Sequence, residues 1–367
     1  MRSIAVVLVL LFIAVPASAA DSGDAVSDNS KTDADFPFVG EYIGSVTSRN
    51  NGEWKSTRIG LQVVAVGNGQ FEAVEFLGGL PGLGWNGRDK AVLPGRRDGD
   101  VVRIDAVPVG ISLDGIVGRI GTSRSSAAFG TVRRINRASP TLGLRPPAEA
   151  TVLFDGKNND CFSNAKLTED NLLCAGAETA DAFSDFTLHV EFRLPYMPVA
   201  KKQGRANSGV YLQRRYEVQI LDSFGKPAEY NTAASIYRTK PADLNMSFPP
   251  LVWQTYDIRF RPAKYSDGIK TANARLTVWH NGVKVHNDVE LTGKTGNGKP
   301  EGPNPLPTLL QNHGNPVHFR NVWLVDHVRH PDVDATPKID PMPHAFPSTG
   351  RRHVAATDEK TTIHTVP

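Results

Sequence analysis

The 367-residue chain carries 41 Lys and Arg against 38 Asp and Glu, a formal charge of +3 that is too small to argue for a nucleic-acid or membrane-surface partner. Neutral or weakly charged ligands fit that balance better. The length exceeds what one typical domain needs, so two cores are expected.

Residues 1–20 combine a basic Arg2, an apolar run from Ile4 to Val15, and small residues Ala17, Ser18 and Ala19 before Asp21. That is the pattern of a cleaved secretory signal, so a periplasmic or extracellular location is expected. No later run reaches the roughly 18 apolar residues of a membrane span. Residues 21–35 set Asp21, Asp24, Asp28, Asp33 and Asp35 against Lys31, with little apolar content, and read as a disordered acidic linker.

Residues 36–137 show short alternating runs, such as Ile59 to Val66 and Phe71 to Phe76, separated by glycine-bearing turns. They predict a small all-β, barrel-like domain. Gly67, Asn68 and Gly69 supply the positive φ of a tight hairpin. Two readings stand for Trp85 in the following glycine-rich loop: a platform for a sugar, or a plug at the end of a small barrel. Residues 138–149, with Pro140, Pro146 and Pro147, form a linker, and the domain after it is expected to fold on its own.

Within residues 150–329, Cys161 and Cys174 would face an oxidising compartment, and a bridge between them would contribute about 3 kcal/mol by loop-closure entropy. A disulfide is therefore expected. The pair lacks the neighbouring histidines of a four-ligand zinc site. Leu188, Val190, Phe192 and Leu194 alternate with His189, Glu191 and Arg193, and Tyr256, Ile258 and Phe260 alternate with Asp257, Arg259 and Arg261. Further strands are predicted at residues 274–279, 283–286 and 317–325, with no long amphipathic helix, so a two-sheet sandwich is the expected architecture. Residues 330–367 read as an irregular Pro-rich tail.

The segment Tyr216 to Asp222 is the most informative of the chain. Alternation sends Val218 and Ile220 to one face and Glu217 and Gln219 to the other, while Asp222 needs a β-bulge to join them. Its Glu-x-Gln-x-x-Asp spacing resembles the Glu-x-Asp-x-x-Glu strand of laminarinase-type glycoside hydrolases, with Gln219 in place of the middle acid.

Six ordered segments carry a wider resemblance: Leu153 to Lys157, Asp185 to Arg193, Asn207 to Tyr211, Tyr216 to Asp222, Leu310 to Gly314, and Phe319 to Trp323. Over residues 150–326 the chain resembles the 3-keto-disaccharide hydrolase family, also described as 3-keto-glucoside-1,2-lyase/hydratase. The resemblance implies a concanavalin-like jelly roll. It departs from the family at Asn158 to Phe162, where Leu and Trp are usual, and at Asn312, where Asp is frequent.

A ketone at C3 of a sugar acidifies the C2 proton, so a base removes it, the C1 substituent departs, and water adds to the enone. The catalytic candidates are Glu217, Glu191, Asp222 and His313. Glu217 and Asp222 are the candidate acid and base, and His313 or Arg320 the candidate oxyanion stabiliser. Glu191 and His189 share a strand face, either within the site or behind it, positioning Glu217. Asn207, Tyr211, Gln219 and Gln311 complete the expected substrate-binding set. A divalent metal is left open, because clustered acids and histidines suit enolate stabilisation while no His-Glu-x-x-His spacing is present. Two rivals stand beside this reading: a non-catalytic carbohydrate-binding jelly roll, and a conventional glycosidase using its acids directly.

Overall fold

The computed structural model describes residues 24–50, 53–105, 109–122 and 128–339, and among them the only helical turns are short 3-10 segments. The expected signal segment and most of the expected tail lie outside these residues. No described helix is long and apolar enough to cross a membrane.

Eight strands come first: β1 (Gly40–Asn50), β2 (Glu53–Gly67), β3 (Gln70–Leu77), β4 (Lys90–Asp98), β5 (Val101–Ile104), β6 (Val109–Leu113), β7 (Val117–Thr122) and β8 (Ala128–Ile135). They pair in sequence order, and β1 closes the barrel against β8. Closure leaves no open edge. The interior is filled by alternate residues including Tyr42, Leu61, Val63, Phe71, Val102 and Leu113. The β2–β3 hairpin turns through Asn68 and Gly69 at φ 55° and 69°, the conformation its sequence predicts. Trp85 does not plug the barrel: it packs edge-to-face on Phe76, ring centroids 5.1 Å apart, in a small cluster with Val74 and Leu80 apart from the barrel core, and stays partly exposed.

The second half builds a sandwich from β9 (Thr151–Phe154), β10 (Phe162–Ser163), β11 (Leu173–Cys174), β12 (Glu178–Ala182), β13 (Phe186–Arg193), β14 (Ser208–Leu212) and β15 (Tyr216–Ile220). It continues with β16 (Trp253–Arg261), the small hairpin β17 (Lys264–Ser266) and β18 (Ile269–Ala272), then β19 (Ala274–His280), β20 (Val283–Leu291), β21 (Pro307–Leu310) and β22 (His318–Asp326). One sheet runs β10-β12-β21-β14-β15; the other runs β11-β22-β13-β16-β19-β20, with β9 also on β22. The chain is thus all-β, a jelly-roll sandwich preceded by a barrel. Leu188, Val190 and Phe192 of one sheet meet Val210, Val218 and Ile220 of the other in a single core.

Two expectations are corrected. The acidic segment is no tether over its described part. Asp33 accepts a hydrogen bond from the Tyr196 hydroxyl at 3.0 Å, and the buried Asp35 accepts from Arg97 Nε at 2.7 Å and from the Gly69 amide at 2.8 Å, so its charges have fixed partners. Cys161 and Cys174 are free thiols. Cys161 immediately precedes β10 in one sheet and Cys174 lies in β11 of the other, where it pairs with His318, so the two strands hold the thiols apart.

The two halves also share apolar packing. Tyr196, Phe224 and Leu251 of the sandwich belong to the barrel's core cluster. Val64 alternates out of the barrel yet is only 2% exposed, because the turn at Phe224 and Gly225 covers it. The linker lies across the outer face of the larger sheet. Ser139 Oγ meets Thr255 Oγ1 at 2.6 Å, Thr141 Oγ1 donates to Asp257 at 2.7 Å, the Gly143 amide donates to Glu191 at 2.5 Å, and Leu144 O accepts from Trp323 Nε1 at 3.2 Å.

Candidate active site

Tyr216, Val218 and Ile220 of β15 point into the sandwich core, so Glu217 and Gln219 stand on the outer face of the smaller sheet. Register sets their neighbours. Tyr211 of β14 lies opposite Glu217, and Gly209 lies opposite Gln219. Across β14, the Gln311 amide donates to Gly209 O at 2.8 Å, which brings the residue after β21 to the same row.

Glu217 is 2% exposed and accepts the Tyr211 hydroxyl on Oε2 at 2.7 Å. Burial pushes its carboxyl up to about 7, and the Tyr211 hydrogen bond only partly opposes that rise. The Tyr211 phenol is pushed up in turn, by burial first and by the neighbouring carboxylate second. A methyl at Gly209 would lie 2.6 Å from Glu217 Oε1, so the carboxyl rests where a side chain would otherwise stand. Thr295 Oγ1 accepts the Glu217 amide at 2.7 Å, the Tyr237 amide donates to Glu217 O at 3.1 Å, and Gly296 backs onto Oε2.

Gln219 Nε2 donates to Gln203 Oε1 at 2.9 Å, and Asn207 Nδ2 donates to Gln203 O at 2.8 Å. Asn207 Oδ1, Gln311 Oε1 and Ser235 Oγ are buried without a protein partner. Buried polar atoms without partners are costly unless water or a ligand satisfies them. Behind the strand, the Tyr256 hydroxyl crosses the core to donate to Gln219 O at 2.7 Å while accepting the Ala234 amide at 2.8 Å, which fixes this edge of the sheet.

The remaining candidates lie elsewhere. Val190 and Phe192 point into the core, so Glu191 and His189 project from the outer face of the other sheet, on the far side of the sandwich from Glu217. There the linker buries them. Glu191 accepts from Arg320 Nε at 2.7 Å and Asn321 Nδ2 at 2.9 Å, besides Gly143. Burial favours its neutral form, but hydrogen bonds from His189, Asn321, Arg320 and Gly143 outweigh burial and bring it to about 2. His189 Nδ1 meets Asp257 Oδ1 at 2.6 Å; burial would lower it, and the Asp257 and Glu191 contacts raise it to about 8. Glu191, His189 and Arg320 therefore neither touch nor position Glu217.

Asp222 does not reach Glu217 either. The β14–β15 register runs from Ser208 opposite Ile220 to Leu212 opposite Tyr216 without the required bulge. Beyond the strand, Asp222 accepts from Arg205 Nε at 2.7 Å. His313 is exposed in the loop after β21 and makes no hydrogen bond among the described residues. Among these residues no group of three or more His, Cys, Asp or Glu converges to hold a metal ion.

The structure thus brings together Glu217, Tyr211, Gln219, Asn207 and Gln311, and adds Gln203, Ser235, Tyr237 and Thr295, which no local pattern marks. These additions come from irregular segments, and only the completed sheet places them. Chemically, the arrangement offers one buried carboxyl that titrates near neutrality, a phenol bonded to it, and amides for sugar hydroxyls.

Residues 149–325 match the model of the 3-keto-alpha-glucoside-1,2-lyase-like domain family. No curated protein matches the chain. Among solved structures, a "putative glycosyl hydrolase" from Parabacteroides distasonis ATCC 8503 is 29% identical, covering 49% of this chain and 84% of its own, at a TM-score of 0.45. Another protein of the same description and organism is 22% identical, covering 48% of this chain and 98% of its own, at a TM-score of 0.34. Over residues 149–325, then, just under half of its length, the chain is similar to the 3-keto-alpha-glucoside-1,2-lyase-like domain family.

Proposed function

We propose that this domain cleaves 3-keto-glycosides by elimination and hydration, with Glu217 as the base that takes the C2 proton. The observation that carries the reading is the buried Glu217 carboxyl, held near pKa 7 and bonded to Tyr211. A carboxylate of ordinary acidity is a weak base toward a carbon acid; one near neutrality stays partly ionised at pH 7 while binding a proton more firmly.

Glu217 takes the C2 proton, and the electron pair moves onto the C3 oxygen as an enolate. Collapse of the enolate restores the ketone, forms the C1–C2 double bond and expels the C1 oxygen. The Glu217 carboxylic acid is then the nearest proton source for the departing oxygen. Water adds at C1 and a proton returns to C2, so the net change is hydrolysis. Asn207, Gln219 and Gln311 hold sugar hydroxyls, and Tyr211 holds the carboxyl. A conventional glycosidase fits less well, because it needs two carboxyl groups flanking the bond, and Asp222 is tied to Arg205. Export through the N-terminal apolar segment accords with an extracellular or periplasmic sugar substrate.

The test is incubation of the protein and its Glu217→Gln variant with matched 3-keto and ordinary glucosides, followed by product analysis. The expected result is release of the C1 substituent from the 3-keto substrate alone, lost by roughly a hundred- to ten-thousandfold in the variant. Equal turnover by both proteins removes Glu217 from the chemistry. Binding without turnover by the unaltered protein makes the domain a binding module.

A further inference from the structure

Residues 235–237 run along the outer edge of β15, the last strand of its sheet. One antiparallel bridge sets Ile236 opposite Val218, with the Gln219 amide donating to Ser235 O at 3.0 Å and the Tyr237 amide to Glu217 O at 3.1 Å. Ile236 is buried in the sandwich core, so alternation turns Ser235 and Tyr237 to the outer face with Glu217 and Gln219. Tyr237 therefore flanks Glu217 on one side as Tyr211 does on the other. Gly296 fixes the placement, since a methyl there would lie 2.8 Å from Tyr237 Cδ1 and 3.2 Å from Glu217 Oε2.

The tyrosines around this strand differ in what they bond. Tyr211 donates to Glu217, Tyr216 to Glu301 and Tyr256 to Gln219 O. Tyr237 is half-buried, and its hydroxyl makes no hydrogen bond among the described residues. Ser235 Oγ, on the same face, is buried without a protein partner. Hydroxyls left open along one row are what a bound ligand would satisfy. The Arg238 guanidinium stands 5.4 Å from the centre of the Tyr237 ring and has no ion pair among the described residues, which brings a positive charge to this side of the site.

A C3 ketone carries its oxygen on the carbon next to the one that loses a proton, so the group that holds this oxygen must stand within one sugar ring of the base. Neighbouring strands, about 5 Å apart, supply that separation. Arg320, one expected holder of the charge, is bonded to Glu191 on the opposite sheet. We propose that the Tyr237 hydroxyl donates to the C3 oxygen as negative charge gathers on it, while Glu217 takes the C2 proton. The proposal rests on the reading of Glu217 as the base, and supplies the oxyanion donor which that reading lacks.

The test uses the whole chain and its Tyr237→Phe variant, which keeps the ring against Gly296 and Arg238 and removes only the hydroxyl. Both are assayed on methyl 3-keto-α-glucoside across pH, and thermal unfolding checks that the variant folds. The expected result is a fall in kcat of roughly a hundredfold, as for loss of one oxyanion donor, with KM within about threefold and the pH midpoint unchanged. An unchanged midpoint separates a donor to substrate from a group that merely supports Glu217. Full kcat in the folded variant, or a fall in kcat that comes with a moved midpoint, overturns the role of Tyr237 and leaves Glu217 as the base. No cleavage of the 3-keto substrate by the unaltered protein overturns both, so the two failures are distinct.

Discussion

Tyr211 and Glu217 face each other across β14 and β15, and the phenol donates to the carboxyl at 2.7 Å in a site nearly closed to water. Ionising Glu217 must therefore overcome burial with little more than that one hydrogen bond. As the base, Glu217 must be ionised, so kcat/KM for a 3-keto-glucoside is expected to rise with pH through about 7 and then level. Tyr211→Phe removes the bond that favours the carboxylate, so the midpoint moves to higher pH. A pH profile identical in the two proteins would separate the phenol from the titration.

Stability runs the other way. A carboxyl whose pKa is raised from 4.5 to about 7 on folding contributes stability that is present below pH 4.5 and lost as pH rises through 7. Glu217→Gln removes that loss, and is expected to melt at higher temperature than the unaltered protein at pH 8, by up to about 3 kcal/mol, with a smaller difference at pH 5. Melting curves at the two pH values check the sign.

Gly209→Ala places a methyl 2.6 Å from Glu217 Oε1. The carboxyl must swing away from its Tyr211 bond, so a fall in kcat of tenfold or more is expected. The far ends of β14 and β15 should keep their protection from hydrogen exchange. An alanine variant with full activity would show that the carboxyl does not act from the observed position.

Glu191→Gln tests the opposite sheet. Its carboxylate receives Arg320, Asn321 and Gly143, and an amide cannot accept from all of them without turning its own donors toward theirs. A loss of about 3 kcal/mol or more is expected in denaturant unfolding, while kcat per folded molecule stays within twofold. A large loss of kcat in fully folded protein would return Glu191 to the chemistry.

A fragment of residues 150–329 lacks both the barrel surface over Phe224 and the linker over Glu191. It is expected to aggregate or unfold well below the whole chain, and the whole chain to melt in one transition. A fragment melting at the same temperature as the intact protein would show that the shared packing contributes nothing.

Much of the fold was legible because alternation at Leu188 to Leu194 and Tyr256 to Phe260 fixes which residues enter the core, and the Asn68–Gly69 pair fixes a hairpin. Glu217 and Gln219 were legible as neighbours for the same reason, since strand period alone puts them on one face, whereas Tyr211 entered only through the family resemblance and its pairing with Glu217 needs the cross-strand register. Period two does not say which of a sandwich's two outer faces a strand presents. For that reason Glu191 and His189, polar residues alternating out of a strand just as Glu217 does, were placed near a carboxyl that lies across the core from them. The acidic stretch was misread because composition reports the surface a segment lacks, and Asp33 and Asp35 are ordered by partners 163 and 62 residues away in sequence.

The linker contacts change what counts as a module in this protein. Ser139, Thr141 and Gly143 sit before the family segment begins, yet they line the lid over Asp257 and Glu191 inside it. A recombinant exchange that joins this sandwich to a foreign N-terminal domain at residue 149 would carry the ion pairs across and leave their cover behind. Grafts cut before Ser139 keep that cover, and should be the ones that yield soluble chimeras.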